Sequence, residues 1–367
     1  MNIMPNNLKR QYDLHAKEYE AKALEVLRSG WYILGNEVSA FEKEWADYIG
    51  SQHCVGLASG LDALWLSFRI LDIGVGDEVI VSSNAYIACV MGISINGATP
   101  VFAEPDRYDN IDADKIEEKI TNKTKAILAV HLYGQACDMT KIMEIAHKYN
   151  LKVVEDCAQS HGNHWQGQTV GTFGDIGCFS FYPSKGCGAF GDAGAIVTNN
   201  PDIADKFKVY RNYGSRVRYQ NEVVGTNSRL DELQAGLLRV KLKHLGEFNR
   251  ERNEIAAKYT QEIKNPLVKL PQIRPGADST WHQYVIHVHN GKRNVLMQYL
   301  QDMGIGTIIH YPIPPHLSEA YQYLGYKVGD LPIAEGFADE VLSIPMYNGM
   351  TAEEQSYVIA AIKGFEG

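Results

Sequence analysis

An aspartate and a lysine stand in this chain where α/β proteins commonly place reacting groups. Asp156 ends the apolar run in KVVEDCAQSHG, at the predicted carboxyl end of a strand, which is where open α/β sheets bind ligands. A carboxylate at this position would keep a pyridine nitrogen protonated, so that the ring accepts electrons from a carbanion. An isolated aspartate is also common as a helix cap or loop residue, so Asp156 alone does not decide the chemistry.

Lys185 lies in a glycine-rich loop that follows another apolar run. The segment FSFYPSKGCGAFGDAGAIVTN surrounds it with aromatic and small residues. A lysine that loses its hydration has a lowered pKa and a free amine that can attack a carbonyl. Taken alone, a loop lysine is usually a solvated charge. The glycines follow neither GxGxxG nor GxxxxGK[ST], which argues against a nucleotide-binding loop.

Two further segments suit a flat, phosphorylated ligand. In ASGLDAL, at residues 58–64, the amides of Gly60 and Leu61 and the hydroxyl of Ser59 would face a phosphate at a helix N-terminus. A plain N-cap explains the same residues equally well. In NAYIACV, Tyr86 follows a predicted strand, where its ring could stack on a flat heterocycle or simply join the core.

Alternating strand and helix patterns predict that an α/β fold positions these groups. Short apolar runs separated by helical stretches indicate βα units around a mostly parallel sheet. Ser59 and Asp62 resemble a capping box at the start of the first of these helices. The predicted strands are 53–57, 78–81, 126–130, 151–154, 177–181 and 195–198.

The remainder of the chain predicts a smaller second unit. Helices are expected over 231–243 and 247–263, with a domain boundary near residue 245 between them. Residues 1–245 would form the large domain with the N-terminal segment, and residues 246–367 a small α+β domain. The small domain has a strand signal at 281–288, a proline-rich loop at 311–315 and a closing helix at 352–363.

Composition excludes several functional classes. The 367 residues are 45% hydrophobic, with a net charge of −9 and no long basic run, so we expect neither disorder nor nucleic-acid binding. No uncharged apolar stretch reaches roughly 18 residues, so no membrane span is predicted. The six cysteines form no CxxC pair, which argues against zinc and disulfides and favours a cytoplasmic location.

Together these segments resemble the DegT/DnrJ/EryC1/StrS aminotransferases, a family that aminates keto sugars carried on nucleotides. The resemblance covers nearly the whole chain, and its ordered set of motifs is specific although no single member is. The matching segments are GWYILGNEVSAFEKEWADYIG, ASGLDAL, NAYIACV, VVEDCAQSHG, FYPSKGCGAFGDAGAIVTNN, GTNSRLDELQAGLLRVKL, WHQYVI and HYPIPPH.

The resemblance implies the type I pyridoxal-phosphate aminotransferase fold and a role for each matching residue. Lys185 would form the Schiff base with pyridoxal phosphate and shuttle protons, while Asp156 would hold the pyridine nitrogen. Gln159 would contact the 3-oxygen of the cofactor, and Tyr86 would stack on its ring. The phosphate would be held by Ser59, Gly60, Leu61 and Ser180.

Partners and substrates follow from the same resemblance. Asn227 would reach the cofactor phosphate of a neighbouring subunit, so a homodimer is expected. L-Glutamate would convert the cofactor to pyridoxamine phosphate and leave as 2-oxoglutarate, and the amine would then pass to a keto sugar. The candidate contacts to sugar and nucleotide are Trp31, Tyr32, Tyr182, His310 and Tyr311.

Two departures from the family pattern are visible. Leu61 stands where the family usually has threonine, so Ser59 is expected to supply the missing hydroxyl. After the lysine, residues 186–188 read Gly-Cys-Gly instead of the commoner Asn-Leu-Gly, which would change the loop without changing the role of Lys185.

The FYPSK segment resembles the branch that aminates C3 of a dTDP-3-keto-6-deoxyhexose. Amination of a 4-keto sugar, of a UDP-linked 3-keto sugar or of a cyclitol remains an alternative. Lys185 argues against a non-catalytic regulator of the same fold. The glycine spacing near ASGLDAL argues against a nicotinamide oxidoreductase.

Overall fold

Strands and helices alternate along the first two thirds of the chain. The computed structural model describes residues 1–367. The strands are β1 (His53–Leu57), β2 (Glu78–Ser82), β3 (Thr99–Ala103), β4 (Thr124–Val130), β5 (Lys152–Asp156), β6 (His164–Trp165), β7 (Gln168–Thr169), β8 (Ile176–Ser180), β9 (Gly194–Thr198), β10 (Ser215–Val217), β11 (Gln220–Asn221), β12 (Val268–Lys269), β13 (Tyr284–Val288) and β14 (Val341–Ile344).

The α-helices cover both the N-terminal segment and the connections between strands. They are α1 (Leu8–Asp13), α2 (Ala16–Ser29), α3 (Asn36–Ile49), α4 (Gly60–Ile70), α5 (Ile87–Ser94), α6 (Met139–Tyr149), α7 (Pro201–Tyr210), α8 (Glu232–Glu262), α9 (Arg293–Asp302), α10 (Pro332–Glu340) and α11 (Ala352–Lys363). None of them is both long enough and apolar enough to cross a lipid bilayer.

A seven-stranded sheet forms the centre of the molecule, in the order β1-β9-β8-β5-β4-β2-β3. The pairs from β8 to β3 are parallel, whereas β9 runs antiparallel to both of its neighbours. Alternate residues of β4 enter two separate apolar cores, Ile127 on one face and Leu128 on the other, as the pleat of a strand requires. The predicted mixed, mainly parallel α/β fold is confirmed.

The six predicted strands of this sheet all form, and their ends lie within two residues of the predicted ones. The strand that the sequence did not predict is β3, which contains Pro100 and lies at one end of the strand order. Proline weakens a strand signal because it cannot donate to the ladder. It is nonetheless tolerated on an edge strand, where only one side is paired.

The predicted break between two helices near residue 245 is wrong, because α8 is one helix of 31 residues. Gly246 lies inside it and costs about 1 kcal/mol relative to alanine. Burial on both sides of that position compensates, since Leu245 and Phe248 are almost completely buried. The division of the chain into residues 1–245 and 246–367 therefore stays a prediction whose boundary falls within a continuous helix.

A second layer is built from the C-terminal residues around the antiparallel sheet β12-β13-β14. Its core contains buried apolar side chains from between residues 255 and 365, together with Ile3 from the other end of the chain. The Ile3 amide donates to the Gly304 carbonyl at 2.8 Å, and the Gly306 amide donates to the Ile3 carbonyl at 2.8 Å. The N-terminal residues are thus fastened to the C-terminal layer.

At the end of β5 a buried glutamate precedes Asp156 and anchors the surrounding loops. Glu155 is fully buried and accepts hydrogen bonds from the amides of Gly171, Phe173 and Gly174 at 2.7–2.8 Å. The ring of His131 lies 3.1 Å from the same carboxylate. Because neighbouring strand residues face opposite sides of a sheet, Glu155 anchors the face that Asp156 does not use.

Replacing Glu155 with glutamine should destabilise the protein strongly. The amide keeps the volume but turns one acceptor into a donor that faces backbone N–H groups, so we expect the free energy of unfolding to fall by about 2–4 kcal/mol. Urea denaturation followed by circular dichroism measures this loss. The control is Glu144→Ala, at an exposed position of α6, which should change stability by less than about 0.5 kcal/mol. A loss below about 1 kcal/mol for Glu155→Gln would contradict the anchoring role.

Candidate active site

A cavity of about 490 Å³ opens at the carboxyl ends of β5 and β8 and at the N-terminal ends of α4 and α5. This is the edge of the sheet where the sequence placed the reacting groups. The predicted site residues that line it are Ser59, Gly60, Leu61, Tyr86, Asp156, Gln159, Ser180, Tyr182, Lys185, His310 and Tyr311. Residues from across 250 positions of sequence are therefore brought to one cavity.

Asp156 is the last residue of β5, and its carboxylate is buried. One carboxylate oxygen, Oδ1, accepts a hydrogen bond from the amide of Ala158 at 3.0 Å. The other, Oδ2, lies 3.0 Å from the Sγ atom of Cys89 on α5. Asp156 therefore does not cap a helix, which was the alternative interpretation of its position, and its side chain lines the cavity.

Lys185 reaches the same cavity from the loop after β8. Its backbone amide donates to the Tyr182 carbonyl at 2.8 Å, which closes a tight turn around the lysine. Burial lowers the pKa of the Lys185 ammonium, and the negative charge of Asp156 opposes this effect without cancelling it. The lysine is thus a half-buried amine in the cavity that Asp156 also lines, rather than a fully solvated surface charge.

Buried polar side chains stabilise the loop that carries Lys185 by hydrogen bonds to its backbone. Lys241 donates to the Gly188 carbonyl at 3.0 Å, and the His161 ring accepts from the Cys187 amide at 3.0 Å. A Cβ atom on Gly188 would lie 2.3 Å from the Pro183 carbonyl oxygen, so this position requires glycine. The departure at residues 186–188 thus places a small, fully buried thiol, Cys187, beneath the loop.

Asp156 and the lysine loop form one wall of the cavity, and the N-terminus of α4 forms a second, where backbone amides and serine hydroxyls come together. Ser59 caps the helix, and its Oγ accepts from the Asp62 amide at 3.1 Å, which leaves the hydroxyl proton free to donate. A Cβ on Gly60 would lie 2.5 Å from the Cβ of Ser180, and one on Gly194 would lie 2.3 Å from the carbonyl carbon of Ser59. Two glycines therefore let both serines approach the helix end, where an anion is stabilised.

The capping box predicted from Ser59 and Asp62 is only half formed. The carboxylate of Asp62 does not return to the Ser59 amide but accepts from Trp65 Nε1 and from Ser228 Oγ, each at 2.8 Å. Ser228 also accepts from the Ala58 amide at 3.2 Å. A tertiary contact with residue 228 has replaced the local one.

Two tyrosines and a glutamine form the third wall. Tyr86 is 46% exposed, so it faces the cavity instead of joining the core, and its ring centroid lies 5.0 Å from that of Tyr311. The Gln159 amide donates from Nε2 to the Tyr311 hydroxyl at 3.1 Å, and its Oε1 accepts from the Tyr133 amide at 2.7 Å. The side chain of Gln159 is therefore fixed at both ends.

Two further residues of this cavity, His282 and Gln283, belong to the WHQYVI segment, and no local pattern in the sequence indicates a role for them. Gln283 lies 2.9 Å from Nε2 of His310, whose Nδ1 lies 2.7 Å from Ser343 Oγ. Burial lowers the pKa of His310 to about 4 and that of His282 well below its usual value, and the Lys185 charge adds to both effects. Both imidazoles are therefore neutral near pH 7, a property that depends on burial and is invisible in the sequence.

Three predicted residues lie outside the cavity of their own chain. Trp31 and Tyr32 are exposed, and their side chains donate to the carbonyls of Ile33 and Leu27 at 2.8 and 3.0 Å. Asn227 is also exposed, beside Asn212 in an isolated bridge. Their expected contacts with substrate or with a neighbouring subunit stay predictions.

Comparison with known proteins extends the match beyond the cavity. The model of the DegT/DnrJ/EryC1/StrS aminotransferase family matches residues 13–363. The dTDP-3-amino-3,6-dideoxy-alpha-D-galactopyranose transaminase of Aneurinibacillus thermoaerophilus is 51% identical over 352 residues, which are 96% of this chain and 96% of the relative.

Solved structures show the same architecture. DesV of S. venezuelae, in complex with a ketimine intermediate, matches with a TM-score of 0.96 and 43% identity over 99% of this chain and 98% of DesV. NtdA of Bacillus subtilis, with its bound cofactor PMP, matches with a TM-score of 0.88 and 32% identity over 95% of this chain and 81% of NtdA. The chain therefore belongs to the DegT/DnrJ/EryC1/StrS aminotransferase family.

Proposed function

We propose that this aminotransferase moves the amino group of L-glutamate to C3 of a dTDP-linked 3-keto-6-deoxyhexose. The main support is the transaminase of Aneurinibacillus thermoaerophilus, whose name specifies a 3-amino-3,6-dideoxy sugar on dTDP and whose 51% identity extends over nearly the whole chain. The FYPSK segment, which resembles the C3-aminating branch, supports the same choice. The six free thiols support a reducing, cytoplasmic location.

The cavity contains the groups that pyridoxal phosphate, the cofactor of this family, requires. A helix N-terminus with two serine hydroxyls suits the phosphate, the exposed face of Tyr86 suits a flat ring, and the buried Asp156 carboxylate suits a protonated ring nitrogen. The lysine supplies the amine. When bound, the cofactor supplies a reactive aldehyde and a ring that withdraws electrons from an attached carbon.

The chain's own residues divide the remaining work. Lys185, whose pKa is lowered, would hold the cofactor through its amine, and the same amine would carry a proton once the amino donor has displaced it. Asp156 stabilises positive charge on the ring nitrogen. Ser59 and Ser180 bind the phosphate with the amides of Gly60 and Leu61, so the hydroxyl of Ser59 replaces the one that Leu61 lacks.

Substrate contacts are proposed for the outer part of the cavity. Tyr182 and Tyr311 offer aromatic surface and hydroxyl groups, and the neutral imidazole of His310 brings no charge. A hydrogen bond from Nε2 of His310 to the substrate would replace the one that it shares with Gln283. Trp31 and Tyr32 lie outside the cavity of their own chain, so we propose that they face the substrate bound by the neighbouring subunit. Residues 246–367 would then close the cavity over the large domain.

A panel of acceptors tests the proposed reaction. Purified enzyme loaded with pyridoxal phosphate and supplied with L-glutamate should aminate a dTDP-3-keto-6-deoxyhexose at C3, with product detected by mass spectrometry and NMR. The kcat/KM should exceed that for dTDP-4-keto and UDP-linked 3-keto sugars by about tenfold or more, as one missing polar contact permits. Preference for a 4-keto sugar, a UDP sugar or a cyclitol would reject the proposed acceptor. Absence of turnover with every acceptor would support a non-catalytic regulator.

The role of Lys185 is tested by labelling and by substitution. Borohydride treatment of the loaded enzyme should fix the cofactor on Lys185, as peptide mass spectrometry detects. Lys185→Ala should lose turnover by about 10³-fold or more, because it removes both the covalent attachment and the proton carrier. Lys241→Ala, which removes the other buried lysine near the loop, should retain the label. A label on any other lysine would contradict this assignment.

The proposed contribution of Asn227 to the neighbouring subunit is tested by mixing two inactive variants. If Asn227 serves the partner's cofactor, a heterodimer of Lys185→Ala and Asn227→Ala contains one site with both residues intact. Equal amounts of the two, unfolded and refolded together, should recover about a quarter of wild-type activity. Activity that stays at the mean of the two homodimers would show that Asn227 serves its own subunit.

A further inference from the structure

Cys89 is the one side chain that donates to Asp156, and the reaction as described above does not use it. It lies on α5, three residues after Tyr86, and is almost completely buried. Its Sγ atom lies 3.0 Å from Oδ2 of Asp156. Burial and the nearby Asp156 charge raise the pKa of the Cys89 thiol well above its usual value. The thiol therefore stays protonated and donates a hydrogen bond to the carboxylate.

The carboxylate of Asp156 has one protein donor on each oxygen. The Ala158 amide donates to Oδ1 at 3.0 Å and belongs to the backbone, so substitution cannot remove it. The Cys89 thiol donates to Oδ2 and is the adjustable partner. Donors to an ionised carboxylate favour its charged form and fix its orientation.

Helix α5 couples two features of the cavity. Tyr86, immediately before the helix, presents its ring to the cavity, while Cys89 points inward to the carboxylate. A single rigid turn therefore sets the distance between the aromatic surface and the charge that a flat heterocycle would meet. A shift of α5 would move both together.

We propose that Cys89 is a positioning residue that keeps the Asp156 carboxylate aimed at the ring nitrogen of the cofactor. This inference rests on the proposed role of Asp156. Without the thiol, the carboxylate loses its donor on Oδ2 and is oriented less firmly towards the ring nitrogen. The cofactor is then held less tightly through its nitrogen, while its phosphate contacts are unchanged.

Cofactor affinity measured with two ligands tests the proposal. Apo-protein of full length is titrated with pyridoxal phosphate and with its 1-deaza analogue, in which a C–H group replaces the ring nitrogen, and the dissociation constants are read from fluorescence quenching. The quantity compared is the preference for pyridoxal phosphate over the analogue. Wild-type protein should show a clear preference, and Asp156→Asn should abolish most of it.

Three substitutions of Cys89 separate the donor from the volume that it fills. Cys89→Ala and Cys89→Val should lower the preference about five- to tenfold, by weakening binding of pyridoxal phosphate and leaving the analogue within about twofold. Cys89→Ser retains a donor and should keep at least about a third of the preference. The matched control is Cys137→Ala, which removes a buried thiol that donates to the Val130 carbonyl at 3.2 Å and should change nothing.

Two results for the Cys89 variants would contradict the proposed role of the thiol. Equal losses for both ligands in Cys89→Ala and Cys89→Val would show that Cys89 only packs the helix, and an unchanged preference in all three variants would show that the thiol has no role. Either result overturns the inference about Cys89 alone if the wild-type preference disappears in Asp156→Asn. A wild type without any preference would remove the role of Asp156 as well.

Discussion

The site depends on holding one carboxylate, that of Asp156, where little water reaches it. Burying an ion costs several kcal/mol unless fixed donors replace its hydration. At Asp156 those donors are an amide and a thiol, and both come from segments whose positions are set by the fold. The adjacent Glu155 anchors the opposite face of β5 through three amides. Two consecutive carboxylates thus do different work: one fixes the strand end, and the other faces the cavity.

Lys185 is subject to the same cost of burying a charge, but its charge is positive. Burial lowers its pKa, and the Asp156 charge limits how far it falls. Asp156 reaches the cavity as the last residue of β5, whereas the lysine loop and the two serines need close backbone approaches that three glycines permit. Gly188 lets the lysine loop close on itself, while Gly60 and Gly194 let the serine hydroxyls approach the helix end. The proposed roles of Lys185 and of the two serines therefore depend on the absence of side chains at these glycines as much as on the reacting groups themselves.

Local sequence patterns predicted most of the sheet and most of the cavity, and they were wrong or silent where tertiary contacts decide. Strand ends and glycine-rich loops have short-range signals, so Asp156, Lys185 and Tyr86 were found. The two helices predicted over 231–243 and 247–263 are one helix, α8, because burial that no local pattern shows outweighs the cost of Gly246 inside it. Cys89 was missed because its partner lies 67 residues away. Trp31, Tyr32 and Asn227 lie outside the cavity of their own chain, and their contacts with substrate or with a neighbouring subunit stay predictions.

The pairing of Ile3 with the strand-like segment around Gly304 and Gly306 has a mechanical consequence. The chain passes between the C-terminal layer and the central sheet twice, once near its beginning and once along α8, which is roughly 46 Å long. Non-covalent contacts add to these two crossings, because the ring of His287 on β13 lies 2.8 Å from the carboxylate of Asp109. The wall of the cavity that carries His310 and Tyr311 is therefore joined to the wall that carries Asp156 and Lys185 both through the chain itself and through packing.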